Sequence, residues 1–117
     1  MYYNFNSRNA ILFGVDEAIF LEKLIQLIFE KKAIKNTEEY GKQTWIKISG
    51  KQFTKIFPFW TTSQTKRIIN SLKKQKIIQT HLFNPSMENH TKSYALKNEE
   101  DFISIISKEE NNYVLYA

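Results

Sequence analysis

The segment from Val15 to about Ala33 constrains the fold most, because it is long, apolar and helically periodic. Its apolar residues recur at steps of three and four, the spacing of one face of an α-helix: Val15, Ala18, Ile19, Leu21, Leu24, Ile25, Leu27, Ile28 and Phe29. Two acidic residues lie near its start and two lysines near its end, which suits the helix dipole. The apolar face is wide, so we expect this helix to be buried on more than one side and to organise the core.

Length and composition limit what can surround that helix. A chain of 117 residues with 42% hydrophobic content has room for one domain with a single core. The absence of cysteine excludes a disulfide framework and a thiolate metal site. The N-terminus lacks the pattern of a signal peptide, and residues 18–29 are too short and too polar to span a bilayer. We therefore expect a soluble cytoplasmic protein.

Positive charge is concentrated in one part of the chain. Residues 1–46 hold six Lys/Arg and six Asp/Glu, residues 47–97 hold ten against one, and residues 98–117 hold one against five. The three parts therefore carry 0, +9 and −4. A field of one sign repels itself unless a polyanion lies nearby. A solvated lysine-rich surface would give the same totals, but their concentration in one segment favours a partner.

A short strand and a short helix are predicted after a polar loop at residues 36–42. Residues 45–48 alternate as a β-strand does. Ser49 can cap a helix that begins at Gly50 and ends at residue 56 or 57, because the residue before Pro58 is pushed out of the helical region. Aromatic side chains form the following turn, and we expect them to fix the angle between two helices rather than to stack on bases: Phe57, Phe59 and Trp60.

A basic amphipathic helix and a hairpin follow. Thr61 or Thr62 offers an N-cap for a helix over residues 63–76, whose predicted buried stripe is Thr65, Ile68, Ile69 and Leu72. Residues 77–83 and 93–97 alternate as strands and are joined by a polar loop at 84–92. A last helix is expected from Glu99 or Glu100 to about Ser107, with its acidic start in solvent. The apolar residues 113–116 are expected to dock on the core or on a second copy.

This order of elements is that of a winged helix-turn-helix. The predicted class is α+β, mainly α, with a three-helix core, a β-hairpin wing and a short C-terminal helix. Residues 1–98 would form the DNA-binding domain. Residues 99–117 would form a C-terminal helix and tail, which is either part of the same domain or a dimer contact.

The polar face of the basic helix carries the predicted site. A recognition helix needs side chains that reach base edges in the major groove, and cations that neutralise phosphates. Asn and Gln suit adenine, Arg suits guanine, and Lys suits phosphate or guanine. The wing tip adds a histidine and a lysine that would reach the backbone or the minor groove. The candidate DNA contacts are Thr62, Ser63, Gln64, Lys66, Arg67, Asn70, Lys73, Lys74, His90 and Lys92.

A family resemblance rests mainly on residues 45–96. The motifs Phe57-Pro58-Phe59-Trp60, Thr65-Lys66-Arg67-Ile68-Ile69, Ser71-Leu72, Ile77-Ile78 and Thr91-Lys92-Ser93-Tyr94, with Glu17-Ala18 and Phe20-Leu21 before them, resemble the N-terminal winged-helix domains of phage and plasmid replication proteins. These include replisome organisers and relatives of the DnaD primosome protein. The resemblance covers about residues 11–97 and implies the fold more strongly than the task. A role in replication, in plasmid transfer or in transcriptional control stays open.

Other classes of function find little support in the sequence. His81 and His90 fit no common zinc pattern, and His81 is expected on the surface of a strand. Glu88 is the single carboxylate of the basic segment, so the clustered acids of a metal-dependent nuclease are missing there. We therefore expect no enzyme, no cofactor and no metal. The rival hypothesis is a protein-interaction module of a replication or transfer complex that does not itself bind DNA. A homodimer that reads two half-sites is also expected, since such domains often do so.

Overall fold

Two helices joined at Gly14 open the chain. The computed structural model describes residues 4–33, 39–40, 43–83 and 91–102. Helix α1 spans Ser7–Phe13 and helix α2 spans Val15–Ala33, the second as predicted. The Asn6 side chain caps α1 by accepting the N–H of Arg8 at 2.9 Å. Gly14 has a φ of 113°, which favours glycine, and so permits the sharp change of direction between the helices. Helix α1 was not predicted, since it buries none of its residues.

Short strands form two antiparallel units. Strand β1 (Glu39–Tyr40) pairs with β2 (Gln43–Thr44), so part of the predicted polar loop is a small hairpin. Strands β3 (Ile46–Lys47), β4 (Ile78–His81) and β5 (Ser93–Leu96) form a sheet in the order β3-β5-β4. The predicted hairpin strands are thus confirmed, each shorter than expected. The tip of that hairpin, residues 84–90, lies outside the described residues.

Helices α3 and α4 follow the predicted capping signals. Helix α3 spans Gly50–Ile56, and Ser49 caps it in a reciprocal capping box with Gln52. Helix α4 spans Thr62–Lys74 with Thr61 as its N-cap. It ends two residues before the predicted position, because Lys76 adopts a left-handed φ of 62°.

The end of α4 is a Schellman motif. The N–H of Ile77 donates to the carbonyl of Leu72, and the N–H of Lys76 donates to that of Lys73, each at 3.0 Å. Glycine is the usual residue at the left-handed position of this motif, and a lysine occupies it here. The turn sends the chain directly into β4.

The core forms around α2, as its wide apolar face predicted. Phe20 stacks between Phe53 of α3 and Phe57 after it, with ring centroids 5.9 and 5.5 Å away. The expectation that the aromatic turn is buried holds for Phe57 but is wrong for Phe59, which is 49% exposed. Trp60 lies between these cases, half-buried against the Phe57 ring at 4.6 Å.

The start of the C-terminal segment is held on the core. Residues 99–102 are helical, beginning at Glu99 as predicted. The prediction of a solvated acidic start is wrong for Glu99, whose side chain is only 4% exposed. Its Oε2 lies 3.1 Å from Nζ of Lys32, and its Oε1 accepts the backbone N–H of Thr44 at 2.9 Å. The rest of the predicted helix and the apolar residues 113–116 lie outside the described residues.

Together these elements make a mainly helical α+β chain with one three-stranded antiparallel sheet. Over the part of the chain that the structure describes, no helix combines the length and the apolar character needed to cross a membrane.

Candidate nucleic-acid interface

Helix α4 separates its residues into a buried stripe and an exposed polar face. The stripe is the predicted one, Thr65, Ile68, Ile69 and Leu72, and packs toward α2 and the sheet. The exposed face holds seven of the ten candidate contacts, all exposed to solvent: Thr62, Ser63, Lys66, Arg67, Asn70, Lys73 and Lys74. Because an α-helix rotates by about 100° per residue, these side chains lie in one continuous sector around its axis. The sequence therefore predicted correctly which side of α4 is buried and which is exposed.

Gln64 has a structural role that the sequence analysis did not assign. Its Oε1 accepts the N–H of Thr61 at 2.8 Å, and its own N–H donates to Oγ1 of Thr61 at 3.1 Å. This capping box satisfies two backbone donors at the start of α4. Because its carboxamide oxygen is used in the cap, Gln64 takes part in forming α4, and its contact with a base stays a prediction.

A groove of about 700 Å³ lies beside this face. Helix α4 forms one wall, and the junction of β3 with α3 together with strands β4 and β5 forms the other. The N–H of Ile48 donates to the carbonyl of Lys92 at 3.2 Å, which joins that junction to the start of β5. Four lysines line the groove: Lys51, Lys66, Lys73 and Lys92.

We call this groove, with the residues that line it, the basic groove. Its charged side chains are all positive. Its lining contains no aspartate or glutamate. Among the residues that the structure describes, no carboxylate lies within ion-pair distance of any of the four lysines. A groove lined by one sign of charge concentrates counter-ions of the opposite sign. It is therefore suited to a polyanion.

Apolar and aromatic side chains line the basic groove together with the four lysines. They are Ile48, Phe53, Trp60, Ile69 and Tyr94. Burial raises the pKa of the Tyr94 phenol above its usual value of 10.0, so this ring stays neutral at neutral pH. The groove thus combines cations with apolar surface.

The other flank of α4 faces the start of α2. Arg67 lies there, with Nη2 3.9 Å from Oδ2 of Asp16. Both side chains are largely exposed, so this ion pair is weak and leaves the guanidinium available to a ligand. Lys74 follows Arg67 after two helical turns and shares this flank. Neither residue lines the basic groove.

The predicted DNA contacts and the residues that line the basic groove overlap only in part. His90 lies outside the described residues, so its position is not part of the site described here. Lys51 and Thr54 of α3 line the basic groove but were not predicted, although both belong to the predicted short helix. Four further cations of the basic segment are exposed but do not line it: Lys47, Lys55, Lys76 and Lys97. The +9 segment is therefore only partly gathered on one surface.

No group of three or more His, Asp or Glu residues suited to a metal ion occurs within residues 4–33, 39–40, 43–83 and 91–102. Comparisons with protein-family models, with curated proteins and with solved structures find no match to this chain. The geometry and charge of the site are therefore the basis for any functional assignment.

Proposed function

We propose that this protein binds double-stranded DNA as a winged helix-turn-helix domain. In this proposal α3 and α4 are the two helices of the motif, α4 is the recognition helix, and the β4–β5 hairpin is the wing. Sequence-specific binding without catalysis is the function that this surface supports best. From the resemblance to phage and plasmid replication proteins we propose a role in replication, transfer or transcriptional control of such an element.

One observation carries the proposal. The exposed face of α4 and the adjoining basic groove bring six cationic side chains to one side of the molecule: Lys51, Lys66, Arg67, Lys73, Lys74 and Lys92. Among the described residues, Asp16 is the single carboxylate paired with any of them. Cations without partners cost stability through mutual repulsion and are neutralised by the phosphates of a duplex. A surface that served only solubility would intersperse charges of both signs.

The side chains divide into two proposed roles. Arg67 and Asn70 can form bidentate hydrogen bonds with guanine and adenine in the major groove. Thr62 and Ser63 lie at the exposed start of α4, where hydroxyl groups can bind phosphate or base edges. The lysines neutralise phosphates, with Lys92 acting from the wing. The duplex contacts of His90, which lies beyond the described residues, stay a prediction.

The test measures binding to duplex fragments of the element that encodes the protein. A variant with Arg67→Ala, Asn70→Ala and Lys74→Ala should lose most of its sequence-specific affinity, since base contacts cost about 1–3 kcal/mol each. The control is Lys47→Ala with Lys55→Ala and Lys97→Ala, which removes three charges outside the proposed interface. Equal duplex binding by wild type and the first variant would remove α4 from consideration as the recognition helix.

A second function is favoured by the surface of α1. Ile11 is 85% exposed, and Leu12 and Val15 beside it are also exposed. Neighbouring exposed apolar side chains are a common sign of a protein contact. They favour the alternative of an oligomerisation module, or a homodimer that binds two half-sites. Sedimentation of wild type against Ile11→Ser with Leu12→Ser tests this: a dimer that uses α1 should dissociate, whereas an unchanged mass would exclude this surface.

A further inference from the structure

We infer that the basic groove also accepts an unpaired polynucleotide strand, with one base against Trp60 and the phosphates along its lysines. The inference rests on the proposed function to the extent that the same lysines bind phosphates in both cases. It goes further by naming a second form of ligand, because a base inside a duplex cannot enter a groove without leaving its stack.

Lysines and apolar side chains both line the basic groove. Phosphates are strongly hydrated and are bound by lysine, whereas an apolar and aromatic lining gives them nothing to bind. That lining does suit the faces of bases, which stack on aromatic rings irrespective of sequence. Cations along a groove together with an aromatic ring within it are the two components of single-strand binding sites.

Two neighbouring aromatic rings hold Trp60 in place. The centroid of the Trp60 ring lies 4.6 Å from that of Phe57 and 5.1 Å from that of Phe59, and the second contact is T-shaped with an interplanar angle of 72°. Trp60 also lines the basic groove and is only half-buried. A ring fixed before the ligand arrives loses little side-chain entropy on stacking.

Polar side chains also line the groove that Trp60 lines. Hydroxyl and amide side chains line the same groove and can bind the Watson–Crick edge of an unpaired base: Thr54, Thr62, Asn70, Thr80 and Thr91. An acidic peptide would also satisfy the lysines, but its charged and hydrated carboxylates offer no aromatic face that stacks on Trp60. The mixture of cation, hydroxyl and aromatic ring therefore favours a polynucleotide.

The experiment uses oligomers of about 12 nucleotides, a length within the site sizes of single-strand binding proteins. The probes are oligo(dT), oligo(rU) and an abasic deoxyribose-phosphate oligomer of equal length. Oligo(dT) should quench the fluorescence of Trp60, while Trp45, the other tryptophan, is only 7% exposed. In Trp60→Phe the quenching should disappear with affinity kept within about threefold, because a phenyl ring still stacks. The dT and rU arms show whether the strand is DNA or RNA.

A second variant separates stacking from charge. Trp60→Leu should bind oligo(dT) about tenfold more weakly than wild type, which is within the range for loss of one stacked base. Its affinity for the abasic oligomer should not change, which also shows that the variant is folded. Lys51→Ala should flatten the salt dependence of oligo(dT) binding by about 0.7 in log K against log salt. Equal affinity of wild-type protein for oligo(dT) and the abasic oligomer would overturn the inference, as would quenching that persists in Trp60→Phe.

The same oligomers distinguish failure of this inference from failure of the proposed function. Arg67→Ala with Lys74→Ala alters the flank of α4 that does not line the groove, so it should weaken duplex binding and leave oligo(dT) binding unchanged. Duplex binding without any preference for oligo(dT) over the abasic oligomer would overturn the inference alone. Binding of oligo(dT) without any duplex binding would overturn the proposed function alone. Preference for a poly-glutamate peptide over both oligo(dT) and duplex DNA would overturn both.

Discussion

Lysines occupy two contrasting regions of this molecule. At the end of α2, Lys31 donates to the carbonyl of Trp45 at 2.7 Å, and Lys32 lies 3.1 Å from the buried carboxylate of Glu99. In the basic groove, by contrast, Lys66 and Lys73 have no such acceptor among the described residues. Both regions hold the same residue type, and only the first uses it to hold the fold together.

The contrast teaches how charge in this chain divides between stability and binding. Lys32 joins α2 to the C-terminal segment, while Glu99 also accepts the N–H of Thr44 and so fixes β2. Removal of the contacts between Glu99, Lys32 and Thr44 should lower the free energy of unfolding. Removal of groove lysines should cost affinity for nucleic acid with little change in stability. Four predictions test this division.

The largest effect is expected at Glu99. Glu99→Ala leaves the buried N–H of Thr44 without its acceptor and Lys32 without its partner. Since Lys32 is 38% exposed and can be solvated, we expect a loss of about 2 kcal/mol in the free energy of unfolding. Urea denaturation measures it. The matched control is Glu100→Ala, an exposed neighbour that should change stability by less than about 0.5 kcal/mol.

The opposite behaviour is expected for Lys66→Ala with Lys73→Ala. The urea midpoint should stay within the range of exposed substitutions, about 0.5 kcal/mol. The plot of log K for duplex DNA against log salt should flatten by about 1.8, since each phosphate contact contributes about 0.9. A large loss of stability with an unchanged salt slope would show that these lysines serve the fold.

Lys76 occupies a left-handed backbone position at which glycine should stabilise the fold. Lys76→Gly places glycine at the left-handed position that ends α4, where it carries no Cβ penalty. We expect a gain of about 0.5–1 kcal/mol in the free energy of unfolding, less than the loss at Glu99. Because Lys76 does not line the basic groove, affinity for duplex DNA should stay nearly constant. A large loss of affinity would extend the interface to the end of α4.

The smallest effect is expected at Tyr94 and depends on pH. Burial raises the pKa of this phenol in the folded protein, so the folded state retains the proton more tightly than the unfolded state. The associated stability is fully present below pH 10 and is lost as the pH rises through the folded pKa. Tyr94→Phe should therefore lose less stability than wild type between neutral pH and about pH 11. Parallel pH profiles for the two proteins would contradict this.

Much of the fold follows from local sequence signals. Periodicity located α2 and α4, and Ser49 and Thr61 marked the starts of α3 and α4. These features depend on neighbours within a few residues, which sequence patterns capture. Helix α1 was not predicted, because it has no stripe of buried residues. The early end of α4 was not predicted, because a lysine in the sequence does not indicate the left-handed backbone that Lys76 adopts.

The site was predictable only where it lies on one element. The exposed face of α4 followed from helical geometry, but Lys51 joined it through the pairing of β3 with β5, which brings distant residues together. The burial of Glu99 likewise depends on Lys32 and Thr44, more than fifty residues earlier in the chain. Phe59 is exposed although its apolar side chain suggested a place in the core, because the turn directs only Phe57 fully inward. Contacts of this range lie beyond local patterns.

The central claim is that the lysines without partners bind phosphates. The most direct measurement is the salt dependence of wild-type affinity for duplex DNA, compared with a variant in which Lys51, Lys66, Lys73 and Lys92 are all replaced by glutamine. The account predicts that log K falls with log salt at a slope about 3.6 steeper for wild type than for the variant, since four contacts contribute about 0.9 each. Equal slopes for two folded proteins, or no duplex binding by wild type at low salt, would contradict it.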